Sequence, residues 1–300
     1  MELYAPKYYR KFKCIADRCT HSCCIGWEID VDDDTLALYR TLPGKVGEDI
    51  RRSLACEGDA VCFALGADER CPHLTEKGLC AIISALGEGY LCEICREHPR
   101  FYNRVGERLE CGLGASCEEA ARLILSEADY LNPELVGEEP IEPNEGECGF
   151  DGLAARRKIL ALLSDRRVTY AERRRQIAAC WGLPLENRSR QSLFASLEYL
   201  QEAHRELFLR CCDADVSSGE ADLAGERFLA YLIYRHASPA ESAEDFRSAL
   251  WLAFLLERLF RSLTVAGLSP VEAAVTVSEE LEYSEDNTEA IRQSLAESNE

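Results

Sequence analysis

The amino-acid sequence predicts a mainly α-helical protein. An irregular, cysteine-rich N-terminal domain over residues 1–130 leads through a linker at 131–152 into an α-helical bundle over 153–300. Three observations predict this. Twelve of the 16 cysteines fall within residues 1–117. Helix-start signatures recur beyond residue 150, where no alternating run is long enough for a central sheet. Hydrophobic residues make up 47% of the 300, enough for a packed core.

In the first part, Asp34-Thr35 begins a helix, with the carboxylates of Asp32, Asp33 and Asp34 at the positive end of its dipole. Ser116-Cys117-Glu118-Glu119 reads as a capping box opening onto a helix at Ala120–Ala128. Cys117 then sits in the first turn, where the dipole favours a thiolate. The stretch 131–152 holds Pro133, Pro140 and Pro143, several glutamates and no basic residue, and reads as loop.

Further boxes stand at Thr169-Tyr170-Ala171-Glu172, Ser238-Pro239-Ala240-Glu241 and Ser269-Pro270-Val271-Glu272. Helices are expected at 153–164, 170–181, 192–210, 220–236 and 286–297. Another follows Pro239, with an apolar stripe through Leu250, Leu252, Leu255, Leu259 and Leu263.

The N-terminus, MELYAPKYYRKFK, lacks an apolar stretch of signal-peptide length, and the apolar run Ala249–Leu256 is too short to span a bilayer. A cytoplasmic location is the expectation, and there thiols stay reduced. The net charge is −20, most of it beyond residue 117. Such a surface repels phosphate backbones, which argues against a nucleic-acid partner, keeps the protein soluble and suits a lysine-bearing one. No membrane partner is expected, and the sequence leaves the oligomeric state open.

Clustered cysteines in a reducing compartment point to metal ligands or redox groups before disulfides. Three groups stand out: Cys14-x4-Cys19-x3-Cys23-Cys24, the pair Cys71 and Cys80 around a glycine-containing turn, and Cys92-x2-Cys95. Together they point to a metal centre. Zinc would take four ligands from cysteine and histidine, with His21, His73 and His98 nearby; a four-iron cluster would take four thiolates. Enough cysteines are present for either, or for two centres. None of the spacings is that of the ferredoxins, and Gly26 stands where the third cysteine of a radical S-adenosylmethionine enzyme would be. Cys56, Cys62, Cys148, Cys180, Cys211 and Cys212 read as small buried hydrophobes.

In order along the chain stand Pro6-x-Tyr8-x3-Phe12-x-Cys14, Cys19-x3-Cys23-Cys24-x-Gly26-Trp27, Cys71-Pro72-x-Leu74 and Gly78-Leu79-Cys80. Leu91-Cys92-x2-Cys95-Arg96-x2-Pro99-Arg100 and Ser116-Cys117-x-Glu119-Ala120-Ala121-Arg122 follow. Over these first 125 or so residues the sequence resembles the flagellin lysine N-methylase family. It resembles more distantly small zinc- or iron-chelating cysteine domains. Two positions depart from the family pattern: His98 stands where a tyrosine is expected, and Glu118 where a proline is expected.

The resemblance implies methyl transfer from S-adenosylmethionine to lysine side chains of flagellin. It also implies an iron–sulfur cluster, 4Fe-4S before zinc, held among Cys14, Cys19, Cys23, Cys24, Cys71, Cys80, Cys92, Cys95 and Cys117. No catalytic residue can be named. Arg96 and Arg100 are candidates for holding the donor's carboxylate, their alternative being a salt bridge or a counter-charge to the cluster. Gly112-Leu113-Gly114 is a glycine pair that could belong to a donor loop, and it reads more simply as a connection into the next helix. Asp30, Asp32, Asp33 and Asp34 could meet a lysine, and Tyr8, Tyr9 and Trp27 could stack on a cation or pack a core. The alternatives are a non-enzymatic zinc or iron module and an electron-transfer protein.

Overall fold

The computed structural model describes residues 1–58, 60–140, 149–185, 190–214, 216 and 221–297. Cys148 and much of the expected linker lie outside them. The chain divides into two compact units: Lys13–Arg100, and Met1–Phe12 together with Phe101–Glu300. The cysteine-rich unit is therefore an insertion, with boundaries that differ from the division at residue 130 read from composition.

Lys13–Arg100 is built from short elements. Helices Asp33–Thr41 and Gly44–Arg52 precede a hairpin of strands Leu54–Glu57 and Ala60–Phe63, paired antiparallel with Leu54 opposite Phe63. Helices Ala81–Leu86 and Glu93–Glu97 follow. The first helix starts where its carboxylates predict, with Asp32 as N-cap accepting the Thr35 N–H at 2.9 Å. Ile29, Val31, Leu36, Tyr39, Ile50, Phe63 and Ile82 form a small core together with Cys71 and Cys92.

The other unit is mainly helical but holds a four-stranded sheet, in the order Arg100–Val105, Arg108–Leu113, Glu2–Ala5, Glu134–Glu138. Glu2–Ala5 runs parallel to Arg108–Leu113 and antiparallel to Glu134–Glu138. Two expectations are corrected here. Part of the supposed linker is an edge strand, and Gly112-Leu113 closes a strand instead of lying in a loop. Proline at 133 precedes that edge strand, where a missing N–H breaks no ladder.

Helices Gly152–Leu163 and Tyr170–Trp181 lie where expected. The single helix expected at 192–210 is two, Gln191–Ser196 and Glu202–Cys211. Ala221–Leu232 runs into a π-helical turn at Ile233–Ala237, and Pro270–Val277 into another at Ser278–Glu282. Glu285–Glu297 closes the described chain. Helix Ala243–Val265 is buried on nearly all sides, with Leu250, Leu252, Leu256 and Leu263 at 0% exposure, which is the pattern of a central helix. It packs against Ala221–Leu232, Pro270–Val277 and Glu285–Glu297.

The caps sort by geometry. Ser269 and Glu272 form the complete box, and the Thr169 hydroxyl accepts the Glu172 N–H. The other two boxes fail. Ser238 bonds Arg156 inside the unit, and the long helix is capped by Ser242 instead. Cys117, not Ser116, is the N-cap of helix Glu118–Ser126, and Glu119 turns to Arg122. The Ser116 hydroxyl is left buried with no hydrogen-bond partner among the described residues.

Four glutamates with 0% side-chain exposure, Glu110, Glu226, Glu257 and Glu282, each meet arginine: Arg156, Arg173, Arg174 and Arg235 in turn. Removing one partner of such a pair leaves an uncompensated buried charge, a loss of roughly 3–5 kcal/mol.

Candidate metal centre

Three local folds bring cysteines of Lys13–Arg100 together. Ile25 bridges Arg70, the Gly26 N–H donates to the Glu69 carbonyl at 3.0 Å and the Cys71 N–H to the Cys24 carbonyl at 2.8 Å. Cys24 and Cys71 are thereby neighbours across an antiparallel pairing. From Cys71 the chain turns back: Leu74 bridges Cys80, and the Thr75 N–H donates to the Leu79 carbonyl at 2.9 Å. Gly78 takes φ 72° in this turn, a left-handed conformation that favours glycine. Finally, Cys80 and Cys92 are the N-cap residues of helices Ala81–Leu86 and Glu93–Glu97, with Cys95 in the first turn of the second.

Cys71 and Cys92 are buried, and Cys24, Cys80 and Cys95 pack half-buried against the same apolar core. Asp32 braces the arrangement, because its carboxylate also accepts the Glu93 N–H at 2.7 Å and so caps two helices at once. Capping is the role in which the structure shows this carboxylate.

The five thiols feel one another's charge. A hydrogen bond with Cys23 is the largest influence on Cys24 and, against the opposing effect of burial, brings its thiol down to about 7. Cys92 is lowered mainly by the hydrogen bond from Cys95, which in turn holds its own proton far more tightly. Burial pushes Cys71 up to about 11, and charge on Cys24, Cys80 and Cys92 adds to this. Burial likewise raises Cys80, helped by Cys24 and Cys92. Several thiolates in one small apolar core repel each other, and a cation held among them removes that repulsion. The donor set therefore fits a thiolate-bound metal group.

The remaining predicted ligands are placed differently. Cys23 is exposed beside Cys24. The Cys19 thiol donates to the His21 carbonyl at 2.9 Å. Cys14 is exposed near the start of the unit. Cys117 belongs to the other unit, half-buried at its helix start. Among the histidines, His73 is committed to the core, with Nε2 2.8 Å from the Ser53 hydroxyl and its ring edge-on to Phe63. Arg96 lies 3.6 Å from Glu97, and Arg100 donates to the Arg96 carbonyl at 3.2 Å. None of the 15 described cysteines forms a disulfide. Cys62, Cys211 and Cys212 are buried as expected, but Cys56 and Cys180 are exposed.

The mainly helical unit contains a narrow cleft of about 20 Å³ that the sequence did not reveal. Tyr8, Tyr130, Tyr231 and Tyr234 line it with Glu127, Asp129 and Arg227. Tyr8 comes from the N-terminal segment, Tyr130 from beyond helix Glu118–Ser126 and the other two from Ala221–Ala237, so no linear motif encodes it. One carboxylate oxygen of Glu127 is buried without a hydrogen-bond partner among the described residues. Asp129 is bound to Lys7 at 2.5 Å, and Arg227 donates to the Leu125 carbonyl at 2.7 Å. Burial keeps all four phenols protonated well past neutrality. The glycine pair proposed for a donor loop is used in packing. A Cβ at Gly112 would lie 2.4 Å from the Phe101 ring, and one at Gly114 1.6 Å from the Tyr283 hydroxyl.

No helix among the described residues is long and apolar enough to cross a membrane. No family model matches the chain, and no solved structure matches it. It is similar to the lysine-N-methylases of Salmonella typhimurium and Salmonella choleraesuis, each 27% identical over 135 residues, or 42% of this chain and 33% of the relative. It is equally similar to the flagellar biosynthetic protein FliU of Salmonella muenchen, with 78% of that protein covered. The match thus spans about a third of each lysine-N-methylase. The likeness read from the ordered cysteine motifs is therefore a likeness to proteins named for lysine N-methylation and flagellar biosynthesis.

Proposed function

We propose that this chain is a protein-lysine N-methyltransferase that modifies flagellin with S-adenosylmethionine as donor and carries a cysteine-ligated iron–sulfur cluster. The observation that carries this reading is the 135-residue similarity to lysine-N-methylases and to FliU. In the transfer, a neutral lysine amine attacks the sulfonium methyl carbon. The N–C bond forms as the C–S bond breaks, S-adenosylhomocysteine leaves as a neutral thioether, and the nitrogen then loses a proton.

Cys24, Cys71, Cys80, Cys92 and Cys95 are the residues that would hold the cluster. Among the described residues no three thiols bring their sulfurs within 4.8 Å of one another. When bound, the cluster would supply cross-linking and charge neutralisation to a small core, since polar methyl transfer requires no electron.

The test is incubation of anaerobically purified protein with donor and flagellin, followed by peptide mass spectrometry. Lysines heavier by one CH2 unit are expected. Iron- and sulfide-loaded protein that leaves every flagellin lysine unchanged would overturn the reading.

The packing role of Gly112 and Gly114 favours a second reading, a metal-stabilised binding module without a donor site. Calorimetric titration with S-adenosylmethionine separates the two: stoichiometric binding excludes the module, and no binding excludes the enzyme.

A further inference from the structure

The buried glutamates of the mainly helical unit follow one rule, with an exception. Glu110, Glu226, Glu257 and Glu282 each have an arginine within ion-pair reach. Glu280 has 0% side-chain exposure too, yet its cationic partner among the described residues is a histidine, His204, with Nδ1 2.6 Å from Oε1. The neighbouring Glu279 carboxylate, 4% exposed, lies 3.7 Å from the same nitrogen. His204 Nδ1 and one oxygen of each glutamate all lie within 4.8 Å of one another. Two carboxylates this close and this far from water repel each other, and an ion held between them and the imidazole removes that repulsion.

We propose that His204, Glu279 and Glu280 form a divalent-cation site, separate from the cysteine centre. One imidazole nitrogen and two carboxylates are a borderline-hard donor set, suited to Mn²⁺, Fe²⁺ or Zn²⁺. An ion at about 2.1 Å from each donor would open the 2.6 Å contact between His204 and Glu280 by a few tenths of an ångström. The ligands are held in advance. Helix Glu202–Cys211 carries His204, and the π-helical turn Ser278–Glu282 carries both glutamates, a backbone form that recurs at functional sites. The Leu200 N–H donates to the second Glu280 oxygen at 2.7 Å. The Asn287 amide donates to the Glu280 carbonyl at 2.9 Å and to the Glu198 carbonyl at 2.7 Å, tying the two segments together. Such outer contacts orient ligands toward a metal. His204 is 21% exposed in its side chain, which gives an ion a way in.

The probe is Mn²⁺, which thiolates hold poorly, added to the intact chain and followed by loss of the free-ion electron paramagnetic resonance signal. One equivalent is expected to bind to the wild-type protein. His204→Ala and Glu280→Gln are expected to weaken it at least tenfold, with iron and sulfide content unchanged. Because Glu280 is buried, each variant is checked by circular dichroism, and His204→Ala, at a half-buried position, serves if Glu280→Gln does not fold. Wild-type protein that binds no Mn²⁺, or variants that bind it as tightly, would overturn the site. Neither outcome depends on methyl transfer.

Discussion

The two units solve the problem of a stable interior in opposite ways. Lys13–Arg100 has a core of nine buried side chains, two of them cysteines, with three more cysteines packed on its edge. The other unit buries a long apolar helix and can afford glutamates in its interior because arginines reach them. A small core supplies only a few kcal/mol, and natural domains of that size add disulfides or a metal. No disulfide forms among the described cysteines, so under the proposed function the first unit would draw on a metal group held by its thiols. In the second, stability falls to packing and ion pairs.

That contrast can be broken from its largest effect downward. Cys71→Ala and Cys92→Ala are expected to remove the metal and unfold Lys13–Arg100, since metal binding and folding are one equilibrium worth on the order of 10 kcal/mol in small metal domains. Hydrogen exchange should show protection lost there and kept in helix Ala243–Val265; protection retained in both would break the comparison. Leu252→Ala should do the reverse. It costs roughly 2–5 kcal/mol through a cavity in the central helix, read as a lower melting temperature with metal content intact.

Acid provides a third way to separate them. The Glu282 carboxyl is disfavoured by burial but held down to about 2 by Arg235, His236 and Ser278. A group whose folded value lies below its unfolded value near 4.5 stabilises fully above that value and loses its contribution as pH falls toward 2. Urea midpoints of the mainly helical unit should therefore drop steeply between about pH 4.5 and 2. In Glu282→Gln the slope should flatten, and an unchanged slope would show that other groups govern it. The smallest effect expected is that of Ser269→Ala, about 1 kcal/mol from losing one cap, measurable in the same unfolding experiment.

Much of the helical architecture was legible because caps and apolar periodicity are local. Thr169 and Ser269 were found from three-residue spacing, and the stripe from Leu250 to Leu263 from helical period alone. Ser238 and Ser116 had the same spacing and misled, because tertiary partners decided otherwise: Arg156 took the first hydroxyl, and Cys117 became the cap beside the second. The strand Glu134–Glu138 was missed because an edge strand next to prolines and glutamates carries no apolar signal of its own. It exists through pairing with Glu2–Ala5.

At the candidate site, the sequence by itself determined which residues could bind a metal, since ligand chemistry belongs to the thiol and is visible wherever cysteines gather. Only the tertiary structure decided that Cys24, Cys71, Cys80, Cys92 and Cys95 share one core while Cys117 belongs to another unit. It alone assembled the tyrosine cleft and the His204–Glu279–Glu280 group from distant segments. The reason is physical: a side chain's chemistry is local, whereas the company it keeps depends on which distant surfaces bury each other.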